Sequence, residues 1–249
     1  VKPQTDERLD VVDEQVTRGH FRQQVTARIL AGVFQGRFRS GERLVVRHLT
    51  QLYGVSPTPV RESFVELASL GIVDLLPNRG AVVLPFGRDE VREIIQLRRV
   101  LEVEAAHSAS GRIKDEALLA VERELARLEQ RFSASAPGAV TSCIHDARSA
   151  DTRLHGLIAG SCGSRRLKAE IDRYATLWRT LRDVSQRLDV ESSQAHAVAM
   201  LAEHQEIARV LRTARPDAAA RVMDRHIRSA GDILEVVLFG APAADSERV

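Results

Sequence analysis

The sequence predicts a mainly α protein in two parts, three helices with a β-hairpin and then an all-α antiparallel bundle of about six helices. Three observations carry that prediction. Hydrophobic residues make up 44% of the chain but aromatics only 4%, so the core must be built from Leu, Val, Ile and Ala, a composition that suits helices. Apolar residues recur at helical spacing over most of the length. Residues 72–84 break that rhythm: a β-rich run, Pro77-Asn78-Arg79-Gly80, and a second β-rich run read as strand, turn, strand.

Taken in order, residues 1–20 are polar and mixed in charge, which suggests a flexible arm; they lack the basic-then-apolar pattern of a signal peptide. A first helix is expected over 21–36, with Val25, Ile29, Leu30 and Val33 on one face. A second runs from Leu44 to Tyr53, with Leu49 and Leu52 inward, and stops at Gly54, the residue best suited to a left-handed helix end. Ser56 can cap the third helix, and Pro57 suits its first position because the missing N–H costs nothing there. Val60, Phe64, Leu67 and Leu70 then point inward, and Thr58, Arg61 and Glu62 outward. Two helices across a short Gly-containing turn, followed by a hairpin, make a winged helix-turn-helix over residues 21–86. The bundle spans 87–239, with helices expected at 89–111, 114–132, 140–160, 164–188, 194–213 and 216–239, and residues 240–249 form a tail.

Net charge is +2, but it is unevenly spread: from Arg18 to Phe86 there are nine Arg against four acidic residues, a surplus of +5. A basic segment beside a neutral one points to a polyanionic partner. The two cysteines, Cys143 and Cys162, form neither a CxxC nor a disulfide framework, which fits a reducing compartment. No apolar run reaches the roughly 18 residues of a membrane span. A cytoplasmic location and no membrane partner are therefore expected.

A recognition helix presents its first turn to base edges in the major groove. Arg61 suits guanine, Thr58 a phosphate or thymine methyl, Arg79 at the wing tip a minor groove or backbone, and Arg47 a phosphate. In the second part, Asp151 and His155 lie four residues apart on a face shared with Leu154 and Ile158. His204 falls with Leu201, Ala208 and Leu211, and His226 with Val222, Met223, Ala230 and Ile233. One such His alone is explained by a hydrogen bond in the core. Four polar groups on buried faces each need a partner, and three imidazoles with a carboxylate suit zinc, nickel or manganese. Arg98 shares a stripe with Ile94, Leu101 and Ala105, and a buried Arg needs an anion. That anion is either an internal acid, Glu102 or Glu104, or a small carboxylate ligand. Trp178 either lines the same cavity or packs in the core or an interface; His107 and His196 are pocket or surface residues.

Gly41-Glu42-Arg43-Leu44, Leu49, Gly54-Val55-Ser56, Pro59-Val60-Arg61-Glu62, Leu67, Leu70-Gly71-Ile72-Val73 and Arg79-Gly80 resemble the DNA-binding domain of the GntR family of bacterial transcription regulators. The resemblance implies contact with double-stranded DNA through Arg47, Thr58, Arg61, Arg79 and Gly80. The family usually has Arg directly after the Ser of the turn; here it is Pro57, so one contact of the family pattern is missing. Asp151-x-x-x-His155-x-x-Ile158, His204-x-x-Ile207, and Arg215-Pro216-Asp217-Ala218-Ala219 leading to Met223-x-x-His226-Ile227 are similar to the FCD effector domain of the FadR branch, and Arg98-x-x-Leu101-Glu102 to its first helix. That implies a divalent metal, zinc ahead of nickel or manganese, on Asp151, His155, His204 and His226, with Arg98 binding a small carboxylate effector. The expected function is a homodimeric, ligand-responsive repressor of a palindromic operator, with no catalytic residue. The rivals are a metal-dependent hydrolase or lyase fused to a DNA-binding module, and a regulator whose metal is purely structural. No general base stands out beside the ligand motifs, which weighs against the enzyme.

Overall fold

The computed structural model describes residues 21–134, 140–188 and 190–240. The expected arm at 1–20 and all of the tail beyond Gly240 lie outside the described residues. The chain divides into two compact units, one taking the residues up to Val33 with Phe38–Leu84, the other Phe34–Arg37 with Pro85 onward.

The first unit holds α1 (Phe21–Phe34), β1 (Arg43–Leu44), α2 (Val46–Tyr53), α3 (Pro57–Ser69), β2 (Val73–Leu76) and β3 (Gly80–Val83). Val25, Ile29 and Leu30 of α1, Leu49 of α2, and Val60, Phe64 and Leu67 of α3 are buried with Val73, Ala81 and Val83 of the strands. Two expectations need correction. Leu44 does not begin the second helix; it pairs with Ala81, so the expected hairpin is a three-stranded antiparallel sheet in the order β1-β3-β2. Leu52 does not point inward; it is 46% exposed, because an eight-residue helix buries little more than one position, here Leu49. Gly54 ends α2 in the left-handed conformation, as its position suggested. Ser56 precedes α3 in extended conformation, with Pro57 in the first turn, but its side chain makes no capping hydrogen bond.

The second unit contains α4 (Arg88–Ala109), α5 (Asp115–Ala134), α6 (Val140–Ser161), α7 (Arg165–Leu188), α8 (Val190–Arg212) and α9 (Pro216–Phe239). Helix α4 packs on α9 and α6, α5 on α8 and α6, and α7 on α4 and α9. Gly231 of α9 permits part of this approach, since a Cβ there would lie 2.7 Å from Ile95 Cγ2 of α4. One apolar cluster joins Ala105, Leu154, Ile158, Ile207, Met223 and Ile227; another joins Leu125, Phe132, Ala147 and Leu201. These stripes are the helical periodicities of the sequence, so burial of one face holds each helix in its place.

Candidate functional site

Helix α6 carries Asp151 and His155 one turn apart, α8 carries His204, and α9 carries His226. Because their neighbours Leu154, Leu201 and Met223 are core residues, the polar side chains are drawn inward with them. One ligand atom from each of the four lies within 4.8 Å of all the others. His204 Nε2 is 3.3 Å from Asp151 Oδ1, and His155 Nε2 is 3.6 Å from the same oxygen. His204 Nε2 and His226 Nε2 face each other at 3.2 Å.

The outward atoms of Asp151, His155 and His226 are held by a second set of residues, whereas His204 Nδ1 is buried with no hydrogen-bond partner. His155 Nδ1 hydrogen-bonds Glu102 Oε2, and His226 Nδ1 hydrogen-bonds Glu203 Oε2 at 2.7 Å. A carboxylate on the far ring nitrogen fixes tautomer and ring orientation, an arrangement typical of metal-ligating histidines. Arg182 of α7 donates from Nη1 to Asp151 Oδ2, leaving Oδ1 toward the imidazoles. Burial pushes the His226 imidazolium down to about 3, with the charge of His204 adding to the effect, and burial likewise lowers His204. Both rings therefore keep their lone pairs at neutral pH. For Asp151 burial works in the opposite direction, but Arg182 and the His204 contact outweigh it and hold the carboxyl well below its ordinary range. Glu102 follows the same logic: burial opposes ionisation, yet Arg98 and His155 bring it down to about 2.

The donor set fits a divalent ion. His155 Nε2 is buried with no hydrogen-bond partner, although it points at the other three ligand atoms. Three neutral imidazoles and one carboxylate oxygen are the N3O chemistry that zinc and related ions accept.

Arg98 lies beside this cluster. Its Nε donates to Glu102 Oε1 at 2.6 Å, and its guanidinium stacks 3.9 Å from the centre of the Trp178 ring. The internal partner is thus Glu102, whereas Glu104 accepts from Ser108. Arg98, Trp178 and Asp151 separate two cavities, of about 70 Å³ and about 150 Å³. His196 lines the smaller and His155 the larger, while His107 is exposed opposite Asp217.

Sequence reasoning missed Glu203, Arg182 and the role of Glu102 on His155. Arg182 had a usable signal: Trp178, Leu181, Arg182 and Ser185 fall on one helical face, so its charge belongs to a buried stripe. Glu203 had none, because an acid next to a His on a helix usually faces solvent.

In the first unit, Thr58 and Arg61 occupy the exposed face of α3, Arg47 is exposed on α2, and Arg79 is exposed at the wing turn. Among the described residues Arg47, Arg61 and Arg79 have no carboxylate partner. Gly80 has a different role from the others. Its φ is +98°, and a Cβ there would fall 2.0 Å from the Leu44 carbonyl oxygen, so close packing of β3 on β1 is reason enough for glycine. Arg43, also missed, donates from Nε to the Arg79 carbonyl at 2.9 Å and braces the wing.

Comparison with known proteins bears on both units. Residues 21–83 match the model of bacterial regulatory proteins of the gntR family, and residues 93–229 match the FCD domain. The chain is 30% identical over 95 residues to the HTH-type transcriptional regulator McbR of Escherichia coli K12, covering 38% of this chain and 43% of that protein. It is 29% identical over 85 residues to the transcriptional repressor RspR of the same strain, covering 34% and 37%. The sequence matches thus span less than half the length of these curated relatives. Among solved structures, E. coli McbR/YncC superposes with a TM-score of 0.62 at 18% identity, covering 88% of this chain and 98% of the other. Lar of Listeria monocytogenes gives 0.53 at 16% identity, covering 91% and 99%. At those identities the fold is what is shared. No helix among the described residues is long and apolar enough to cross a membrane. The matched N-terminal domain indicates DNA binding, FCD domains often bind metal, and the relatives are regulators with no enzymatic role; the chain belongs to the bacterial GntR family of transcription regulators, in the group that carries an FCD domain.

Proposed function

We propose that the chain is a cytoplasmic, homodimeric repressor that reads a palindromic operator and releases it when a small carboxylate binds beside a divalent ion. Asp151, His155, His204 and His226 would hold the ion, with zinc ahead of nickel and manganese. The observation that carries this reading is the convergence of four ligand atoms within 4.8 Å, on helices that otherwise bury apolar residues. Glu102 and Glu203 keep two imidazoles turned inward, and Arg182 keeps one carboxylate oxygen of Asp151 free for the ion. A bound divalent ion supplies coordination positions for an effector oxygen. Arg98, whose Nε is taken by Glu102, turns its remaining N–H groups to the effector carboxylate.

On the DNA side, Arg61 reads guanine, Thr58 a phosphate or thymine methyl, Arg47 a phosphate, and Arg79 the backbone or minor groove. Release requires the effector to bind the DNA-free arrangement more tightly than the DNA-bound one. A second reading, a purely structural metal, is favoured by the ligands coming from three different helices, which an ion would clamp together. Elemental analysis and native mass spectrometry of purified protein test the metal and the dimer, with one ion per chain expected. A gel-shift series then adds small carboxylates to the protein–operator complex. If none displaces the operator, while chelation lowers the melting temperature, the structural reading replaces the sensing one.

A further inference from the structure

Helix α3 gives one side to the core of its unit and the other to solvent. Val60, Phe64 and Leu67 are buried, and so is Ser63, whose hydroxyl donates to the Pro59 and Arg22 carbonyls. Glu66, at the edge of the outer face, is taken by Thr26 and Arg22 of α1. At about 100° per residue, Thr58, Arg61, Glu62 and Val65 fall within one arc of about 100° on the solvent side. Val65 lies inside that arc, between Arg61 and Thr58. It is 60% exposed, more than any other large hydrophobic residue described in this unit.

Packing does not account for Val65, and helix propensity disfavours it. A β-branched residue loses rotamer freedom in a helix, and at an exposed position no burial offsets that loss. Its surroundings are those of a base-reading face with few donors. Pro57, exposed beside Arg61, offers no N–H, and Arg61 is the one cation of α3. In the major groove every base pair presents hydrogen-bonding groups, but the only apolar group is the 5-methyl of thymine. A valine cannot hydrogen-bond, so a donor or acceptor covered by it loses water and gains no partner. The thymine methyl is the base feature that Val65 complements. Along α3, Val65 lies about 6 Å beyond Arg61, and base pairs stack about 3.4 Å apart, so the two side chains reach positions about two base pairs apart.

We propose that Val65 is a specificity-determining residue of the DNA-binding unit, packing on the 5-methyl of a thymine in the same half-site as the guanine read by Arg61. This rests on α3 entering the major groove, as proposed above, and adds a base to what the helix reads.

The test selects a preferred duplex for the full chain from a random duplex library. Each thymine of that duplex is then replaced singly by deoxyuridine, which removes only the methyl group. Affinities are read by fluorescence anisotropy for the parent and for Val65→Ser. At one thymine of each half-site, the change is expected to weaken the parent about four-fold, the worth of one buried methyl group. Val65→Ser should bind the thymine and deoxyuridine duplexes alike. The ratio of the two affinities is internal to each variant, so a change in folded fraction does not move it. If the parent tolerates deoxyuridine at every position, the inference is overturned while operator reading survives. A loss that persists undiminished in Val65→Ser belongs to Thr58 and overturns it equally. A library with no enriched sequence overturns the operator reading and the inference together.

Discussion

Asp151 serves two partners at once, and its variants should separate them. Asp151→Ala removes the candidate ligand and also leaves Arg182 buried without its carboxylate, a loss of about 3–5 kcal/mol for a broken buried pair. Asp151→Asn loses the anionic ligand and the counter-charge of Arg182 but keeps a carbonyl oxygen to accept the Arg182 hydrogen bond. We expect both variants to purify with less than half the metal of the parent. Both should melt below the metal-free parent, the Ala variant further than the Asn variant because it also loses the hydrogen bond to Arg182, as calorimetry would read. On the DNA side, Arg61 and Arg47 should differ in kind. Arg61→Ala should cost about 1–3 kcal/mol and relax the base preference at one position, which competition binding with substituted operators measures. Arg47→Ala should weaken all sequences alike and reduce the slope of log affinity against log salt by about one. A uniform loss for Arg61→Ala would remove it from base reading.

Elements are held by a few contacts that sequence motifs do not reveal. The wing is the clearest case. Gly80 belongs to the family motif, yet its Cα lies against the Leu44 carbonyl, so Gly80→Ala should disrupt the β1–β3 pairing. The expected signature is a lower melting temperature together with weaker DNA binding at every salt concentration. An unchanged melting temperature with weaker binding would instead mark a direct contact. Between α4 and α9, Glu235 receives Arg88 and Arg92 at 2.6 Å each. Its carboxyl is held below the ordinary range, chiefly by the hydrogen bond from Arg92. A folded-state value below the unfolded one means the contribution is complete at neutral pH and is lost as pH falls through the carboxylate range into the folded value. Glu235→Gln should therefore lose more stability at pH 7 than at pH 3, measured by denaturant unfolding at both.

At the scale of the whole molecule, metal should act as a fold-stabilising ligand of the helical unit. An ion at one hundred times its dissociation constant adds about 2.7 kcal/mol. For a unit of this size that is a shift of about 5–10 °C in melting temperature on adding a chelator. Differential scanning calorimetry with and without chelator checks it; an unchanged transition would mean that no ion is held. The same measurement on His204→Ala should show no chelator effect.

Much of this protein is written in local patterns. Helical periodicity, Gly54, the Ser56-Pro57 start and the Pro-Asn-Arg-Gly turn specify three helices and a hairpin, because propensity and turn chemistry act over a few residues. The i, i+4 spacing of Asp151 and His155, and the apolar neighbours of His204 and His226, likewise place four polar groups on inward faces. What lies across a helix interface is not local, and only tertiary packing decided it. That packing made Leu44 a strand residue, set Glu102 and Glu203 against the imidazoles, and gave Asp151 to Arg182. It also put Arg98 against Glu102 and Trp178 between two cavities. Periodicity says which face of a helix is buried; the charge and shape of the site depend on which faces meet.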